Sequence, residues 1–140
     1  PVLCLGETLA ERQQDQTLEV ITTQIEAIIK HLGMGVFSDA IIAYEPVWAI
    51  GTGLSATPEE AQSVHQAIRQ YLRNSNAAIG AKTPILYGGS VNSANAAELF
   101  KQSDINGALV GGASLHATEF STICQLASEP FRISSQQEAV

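Results

Sequence analysis

Four short apolar runs, each stopped by a turn signal and each followed by a segment of helical period, constrain this chain more than any other feature. The runs cover residues 1–5, 40–44, 85–87 and 108–110. The first ends at Gly6, and a helix is predicted over 17–32. There Leu18, Ile21, Ile25, Ile28, Ile29 and Leu32 recur at three- and four-residue steps, and Gly33 stands where a C-cap belongs. The second run precedes a helix that opens at Thr57-Pro58-Glu59-Glu60, a capping box with proline in the first turn. Ala61, Val64, Ile68 and Tyr71 carry its apolar face onward. The third leads through Gly88-Gly89-Ser90 to a helix near 93–101. The fourth leads through Gly111-Gly112 to a helix near 118–127 with Phe120, Ile123, Cys124 and Ala127 on one side. Strand, loop and helix in strict alternation define a parallel sheet with crossover helices. Two architectures satisfy the pattern, an open doubly wound sheet and half of an eight-stranded barrel. Length alone tilts toward the open sheet.

Composition agrees with buried strands. The 140 residues are 45% hydrophobic and only 15% charged, as expected where strands are covered on both faces. A formal net charge of −7 steers the chain away from nucleic acid and anionic membranes. Any bound anion must then be held by locally placed groups. Cys4 and Cys124 form no CxxC and no His/Cys cluster, so they are expected as free thiols in a reducing cytoplasm, with no metal site. Apolar stretches reach four or five residues, far short of a membrane span. The chain opens inside an apolar run without Met or a basic leader, which reads as a fragment without a secretory signal. The polar tail from Ser128 to Val140 is expected to fray.

In parallel α/β folds the working groups lie at the C-terminal ends of strands. Those positions here hold Gly6-Glu7, Glu45, Gly88-Gly89-Ser90 and Gly111-Gly112. Each glycine turn precedes a helix, so backbone N–H groups and the helix dipole could hold a phosphate dianion without basic side chains. An ordinary tight turn is the plainer reading of a single Gly-Gly. Two after consecutive strands fit the phosphate site that barrels build from their seventh and eighth loops. Glu45 ends a buried strand, where a carboxylate is costly unless paired or functional; a salt-bridged structural role and a catalytic one both remain open. The next residues, Pro46-Val47-Trp48-Ala49-Ile50-Gly51-Thr52-Gly53, are apolar and punctuated by glycine. Such a loop is suited to folding over a site and excluding water.

The run from Ala43 to Gly53 resembles the catalytic glutamate and lid of the triosephosphate isomerase family. Tyr87-Gly88-Gly89-Ser90-Val91 resembles that family's seventh loop, Leu109 to Leu115 its eighth, and Cys4-Leu5-Gly6-Glu7-Thr8 the end of its fifth strand. The four motifs follow in the family's order. The resemblance therefore implies the second half of a (β/α)8 barrel, strands 5–8 with their helices, as one domain over 1–140. It implies interconversion of dihydroxyacetone phosphate and D-glyceraldehyde 3-phosphate through an enediolate, in glycolysis and gluconeogenesis. It also implies a cytoplasmic homodimer with a triose phosphate substrate, no cofactor, and no nucleic-acid or membrane partner.

Carried over by position, Glu45 is the base. Gly51, Ser90, Gly111 and Gly112 offer N–H groups to the phosphate. Pro46, Val47, Trp48, Gly53 and Ala56 belong to the lid, Trp48 resting on Glu7 when the lid is open. Tyr87 and Ser90 hold the closed lid near Ala56 and Gly53. Arg69 and Asp104 form a structural ion pair.

Two departures matter. The family's electrophilic lysine and histidine belong to strands 1 to 4, and His31, His65 and His116 do not replace them, being expected in core or surface roles. The lid's far hinge reads Leu54-Ser55-Ala56 where many members begin with lysine. The chain alone is accordingly expected to be inactive. The alternatives are another phosphosugar-binding barrel, such as an enzyme of histidine or tryptophan synthesis, and a non-catalytic half-barrel that binds phosphate or a partner. The Tyr-Glu-Pro-Val-Trp run argues against the first, and an upstream frame encoding four more strands would eliminate the second.

Overall fold

The computed structural model describes residues 1–128, and all of the tail beyond Ser128 lies outside the described residues. Three strands form one sheet in the order β1-β2-β3: β1 Val2–Leu5, β2 Ile41–Tyr44 and β3 Ile85–Tyr87. All pairings are parallel, with Leu5 beside Tyr44 and Tyr44 beside Tyr87. The alternation places Leu3, Leu5, Ile42, Tyr44, Ile85 and Tyr87 on one face, because successive side chains of a strand point to opposite sides.

The fourth predicted strand is reduced to a single bridge, Tyr87 to Ala108. Its flanking hydrogen bonds are present: Tyr87 N–H donates to Gly107 O at 3.0 Å and Leu109 N–H to Tyr87 O at 2.9 Å. Among the described residues no further strand pairs with the outer side of this run. The described residues therefore form an open three-stranded sheet, with the fourth predicted run joined to its β3 edge only at Ala108.

Helices cover the Leu5/Tyr44/Tyr87 face. The helix α2, Thr17–Leu32, buries Ile21 and Ile25 against it and ends at Gly33 with φ 77°, a backbone angle that suits glycine. The helix α3, Pro58–Ser75, starts in the predicted capping box, with Thr57 Oγ1 accepting from Glu60 N–H at 3.2 Å. It buries Ala61, Val64, His65, Ile68, Arg69 and Leu72. Two short helices were not anticipated: α1, Leu9–Gln13, opened by a second capping box between Thr8 and Glu11, and α4, Ala77–Lys82, capped by Asn76. The two helices after the glycine turns are α5, Ala96–Phe100, and α6, Ala117–Ser128. The core unites Leu5, Ile42, Tyr44, Ile85 and Tyr87 with Ile25, Ile68, Leu72, Leu99 and Ile105.

The opposite face of the sheet is less covered, with Val2 half exposed and Cys4 exposed. Arg69 is buried by α3 and its neighbours. Its Nε lies 3.4 Å from Asp104 Oδ1, and its guanidinium donates to Gly80 O, Thr83 O and Asn106 Oδ1. The expected ion pair is thus the centre of a clasp joining α3, α4 and the chain before Ala108. Among the described residues no helix is long and apolar enough to cross a membrane.

Candidate active site

Parallel pairing brings the predicted residues to one edge. Gly6, Glu45 and Gly88 each follow the last residue of a strand, and Gly111 follows the run that bridges to β3. Glu45 is half-buried. Its N–H donates to Leu5 O at 2.7 Å, and Gly88 N–H donates to Tyr44 O at 2.8 Å, so the ladder continues past both strands. The side chain turns onto the β3 side, where a Cβ at residue 88 would overlap Glu45 Cγ. A Cβ at residue 6 would overlap the Glu45 carbonyl. The two glycines are required by the approach of Glu45 itself. On its other side Glu45 faces the Cys4 thiol, which is pushed above its ordinary pKa by a hydrogen bond to that carboxylate, by burial and by its charge.

Gly89 has a different reason: a Cβ there would meet the Tyr87 hydroxyl. Around Gly111 and Gly112, by contrast, a Cβ would meet nothing within 4 Å. That open space lies beside exposed backbone. Among the described residues the N–H groups of Ser90, Gly111 and Gly112 donate to no protein acceptor. The helical pieces that follow are short, a 3-10 turn at Gly112–Leu115 and α5 at Ala96–Phe100. Direct N–H donation is therefore the larger resource for an anion here, and the dipole the smaller.

Beside Glu45 a buried carboxylate organises the edge. Glu7 is 0% exposed and accepts from the Tyr44 hydroxyl at 3.1 Å, from Trp48 Nε1 at 2.9 Å and from Arg12 at 3.3 Å. Burial and the neighbouring Glu7 charge push the Tyr44 phenol far above its usual range, so it remains a donor. Arg12 also reaches Glu60 at 2.9 Å and lies over the Trp48 ring, 4.9 Å from its centroid. Gln24 clamps Gly6 from α2, accepting from its N–H at 3.0 Å and donating to its carbonyl at 3.1 Å. Neither Arg12 nor Gln24 figured among the predicted site residues. The Thr8-x-x-Glu11 capping box was the available signal for the helix that carries Arg12.

Residues 46–56 arch between β2 and α3. Pro46 and Ala49 are buried, whereas Val47, Ile50 and Leu54 are about half exposed. Gly51 and Gly53 have φ of 66° and 78°, which a side chain would strain. Trp48 meets Glu7, the contact implied for an open segment. Ala56 N–H donates to the Tyr87 hydroxyl at 2.9 Å, a contact implied for a closed one. Ser90 Oγ donates to Ala49 O at 2.7 Å, so Ser90 meets the segment at Ala49 and not near Gly53. His65 lies in the core, His31 is exposed near the end of α2, and His116 is exposed just after the 3-10 turn that begins at Gly112. Among the described residues no group of His, Cys, Asp and Glu is arranged to hold a metal.

A parallel α/β unit with a carboxylate, glycine turns and an apolar arch along one strand-end edge defines a class: an α/β protein whose site is assembled from the loops after its strands. Residues 1–127 match the family model described as triosephosphate isomerase, and the chain belongs to the triosephosphate isomerase family. It is 60% identical over 127 residues to the triosephosphate isomerases of Pseudomonas putida strains F1 and KT2440, covering 91% of this chain and 51% of each relative. The triosephosphate isomerase of Pseudomonas fluorescens strain Pf0-1 is 58% identical over the same coverage. The chain thus spans about half the length of the curated relatives it matches.

Proposed function

We propose that these residues are the C-terminal half of one (β/α)8 barrel domain, over 1–140, and that the complete protein interconverts dihydroxyacetone phosphate and D-glyceraldehyde 3-phosphate. The observation that carries the reading is Glu45, turned over a glycine that excludes any Cβ, on the same strand-end edge as the open backbone of Gly111 and Gly112. Glu45 takes a proton from the hydroxyl-bearing carbon beside the carbonyl, leaving an enediolate, and returns one to the former carbonyl carbon, while the hydroxyl proton passes from one enediolate oxygen to the other. A positioned base of this kind contributes on the order of 10²–10⁴-fold.

The phosphate is held by the N–H groups of Gly51, Ser90, Gly111 and Gly112, so the dianion needs no lysine from this half. Residues 46–56, with Pro46, Val47, Trp48, Gly53 and Ala56, act as the lid, and Glu7, Tyr87 and Ser90 steady it. Its half-exposed apolar side chains are the ones that closure would cover. The electrophilic lysine and histidine of the resemblance come from the half that the relatives have in addition. The working form is a cytoplasmic homodimer serving glycolysis and gluconeogenesis, without a cofactor.

Isomerase assay of the 140-residue chain, alone and joined to the N-terminal half of a relative, tests this. Activity is expected only in the joined protein, since electrostatic stabilisation of the enediolate is the larger part of catalysis. Full turnover by the chain alone, or none in a folded joined protein, overturns it.

A further inference from the structure

His65 is fully buried on α3, and its Nε2 has no hydrogen-bond partner among the described residues. Its Nδ1 lies 3.2 Å from the Asp104 carbonyl. A carbonyl only accepts, so Nδ1 carries the proton and the ring is the neutral Nδ1–H form. Leaving the second nitrogen orphaned in the core carries a cost that an aliphatic residue would avoid. What the ring does there is visible in its neighbours.

The imidazole packs edge-on against Tyr44, with centroids 5.8 Å apart and planes at 81°, and lies 6.3 Å from Tyr87. The two phenols are themselves 6.2 Å apart, being register partners on adjacent strands. The three rings form a closed triangle. Both hydroxyls leave it toward the 46–56 arch, and each serves a different end. Tyr44 holds Glu7, whose carboxylate takes the Trp48 indole N–H and whose carbonyl takes Val47 N–H at 2.9 Å. Tyr87 takes the Ala56 N–H. Strand pairing fixes the tyrosine backbones, and on the helix side both rings meet this one imidazole.

We infer that His65 is a positioning residue that ties the two ends of the 46–56 arch together, by holding Tyr44 and Tyr87 at the spacing their hydroxyls need. The inference rests on the hydrogen bonds at the two ends and holds whether or not the arch closes over a triose phosphate. The charged and titratable groups around the ring are Asp104 and Arg69, with Tyr44 and Tyr87 from the sheet and Glu7 and Arg12 beyond Tyr44. Aromatic shape is the property that matters at this position, and the Asp104 carbonyl only satisfies the ring's Nδ1–H.

Two substitutions in the complete protein separate ring from hydrogen bond. His65→Asn keeps an N–H in reach of the Asp104 carbonyl and removes the ring. His65→Phe keeps a ring and removes the donor. Exchange of the Trp48 indole N–H and the Ala56 amide is followed by NMR, and global stability by urea melts of the same proteins. After correction for global stability, His65→Asn is expected to speed both exchanges together by at least about tenfold, whereas His65→Phe leaves both within about twofold of wild type. Should His65→Asn not fold, His65→Leu fills the volume without a planar ring and is read in the same way. Unchanged exchange at both ends, release of one end only, or equal release by His65→Phe would each overturn the inference. Ligand affinity measured alongside with inorganic phosphate reports on the functional reading separately.

Discussion

Gly88 and Glu45 occupy one volume: the carboxylate side chain lies where a Cβ of residue 88 would have to be. The glycine is therefore part of the machinery that aims Glu45, although it makes no hydrogen bond to it. Gly88→Ala is expected to push Glu45 off its present course. Misplacing a reacting group by about an ångström can cost on the order of 10²-fold. In the complete protein kcat should fall by roughly that factor, with inhibitor affinity within a few-fold of wild type. Steady-state kinetics with a competitive phosphate-bearing inhibitor measures both. An unchanged kcat would show that Glu45 does not depend on Gly88.

Glu45→Gln keeps the shape that Gly88 accommodates and removes the proposed base. The expected loss is on the order of 10²–10⁴-fold in kcat, with phosphate-ligand binding retained because no backbone N–H of the glycine turns is altered. Calorimetric titration with the inhibitor checks the second half of that expectation. Near-normal turnover would remove Glu45 from the mechanism.

Most of the fold was legible because the periodicities were strong. The helix Thr17–Leu32 and the capping box opening Pro58–Ser75 follow directly from apolar spacing and turn chemistry. The fourth strand was not, because a three-residue run shows its composition and not whether a further strand will pair with it. The short helices Leu9–Gln13 and Ala77–Lys82 lack an apolar stripe and announce themselves only by their caps. At the site, Glu45 and the glycine turns stood out from position alone. The purpose of individual glycines did not. Gly88 and Gly89 make room for Glu45 and the Tyr87 hydroxyl, whereas Gly111 and Gly112 face open space, as do Gly51 and Gly53 in the arch. His65 was expected in core or surface, and nothing in its flanking residues marks the two tyrosines that meet it from distant strands.

Gly112→Val uses that open space. A Cβ there meets no protein atom within 4 Å, so stability should change by less than about 1 kcal/mol in a urea melt. The same side chain fills the volume assigned to the phosphate oxygens, and KM should rise at least about tenfold. Loss of affinity without loss of stability is the expected signature. If inorganic phosphate protected the variant from heat as well as it protects the wild type, the anion would be bound elsewhere.

Stability should fall in mild acid through His65. Burial, more than any neighbour, lowers its pKa from 6.5 to about 4, with Arg69 acting the same way and Asp104 opposing it. The unfolded chain therefore binds a proton that the folded chain refuses, throughout the interval between those two values. Its contribution is complete above pH 6.5 and is progressively lost as pH falls toward 4. A shift of this size corresponds to about 3 kcal/mol across the interval. Carboxylates also titrate near its lower end, so the measurement must be a difference. Urea melts of wild type and His65→Phe, taken at steps from pH 7 to pH 4.5, should converge as the pH drops. The variant starts less stable, because the Asp104 carbonyl has lost its donor, and it has no imidazole to protonate. Parallel curves at constant separation would mean that His65 is protonated in the folded protein at an ordinary pKa.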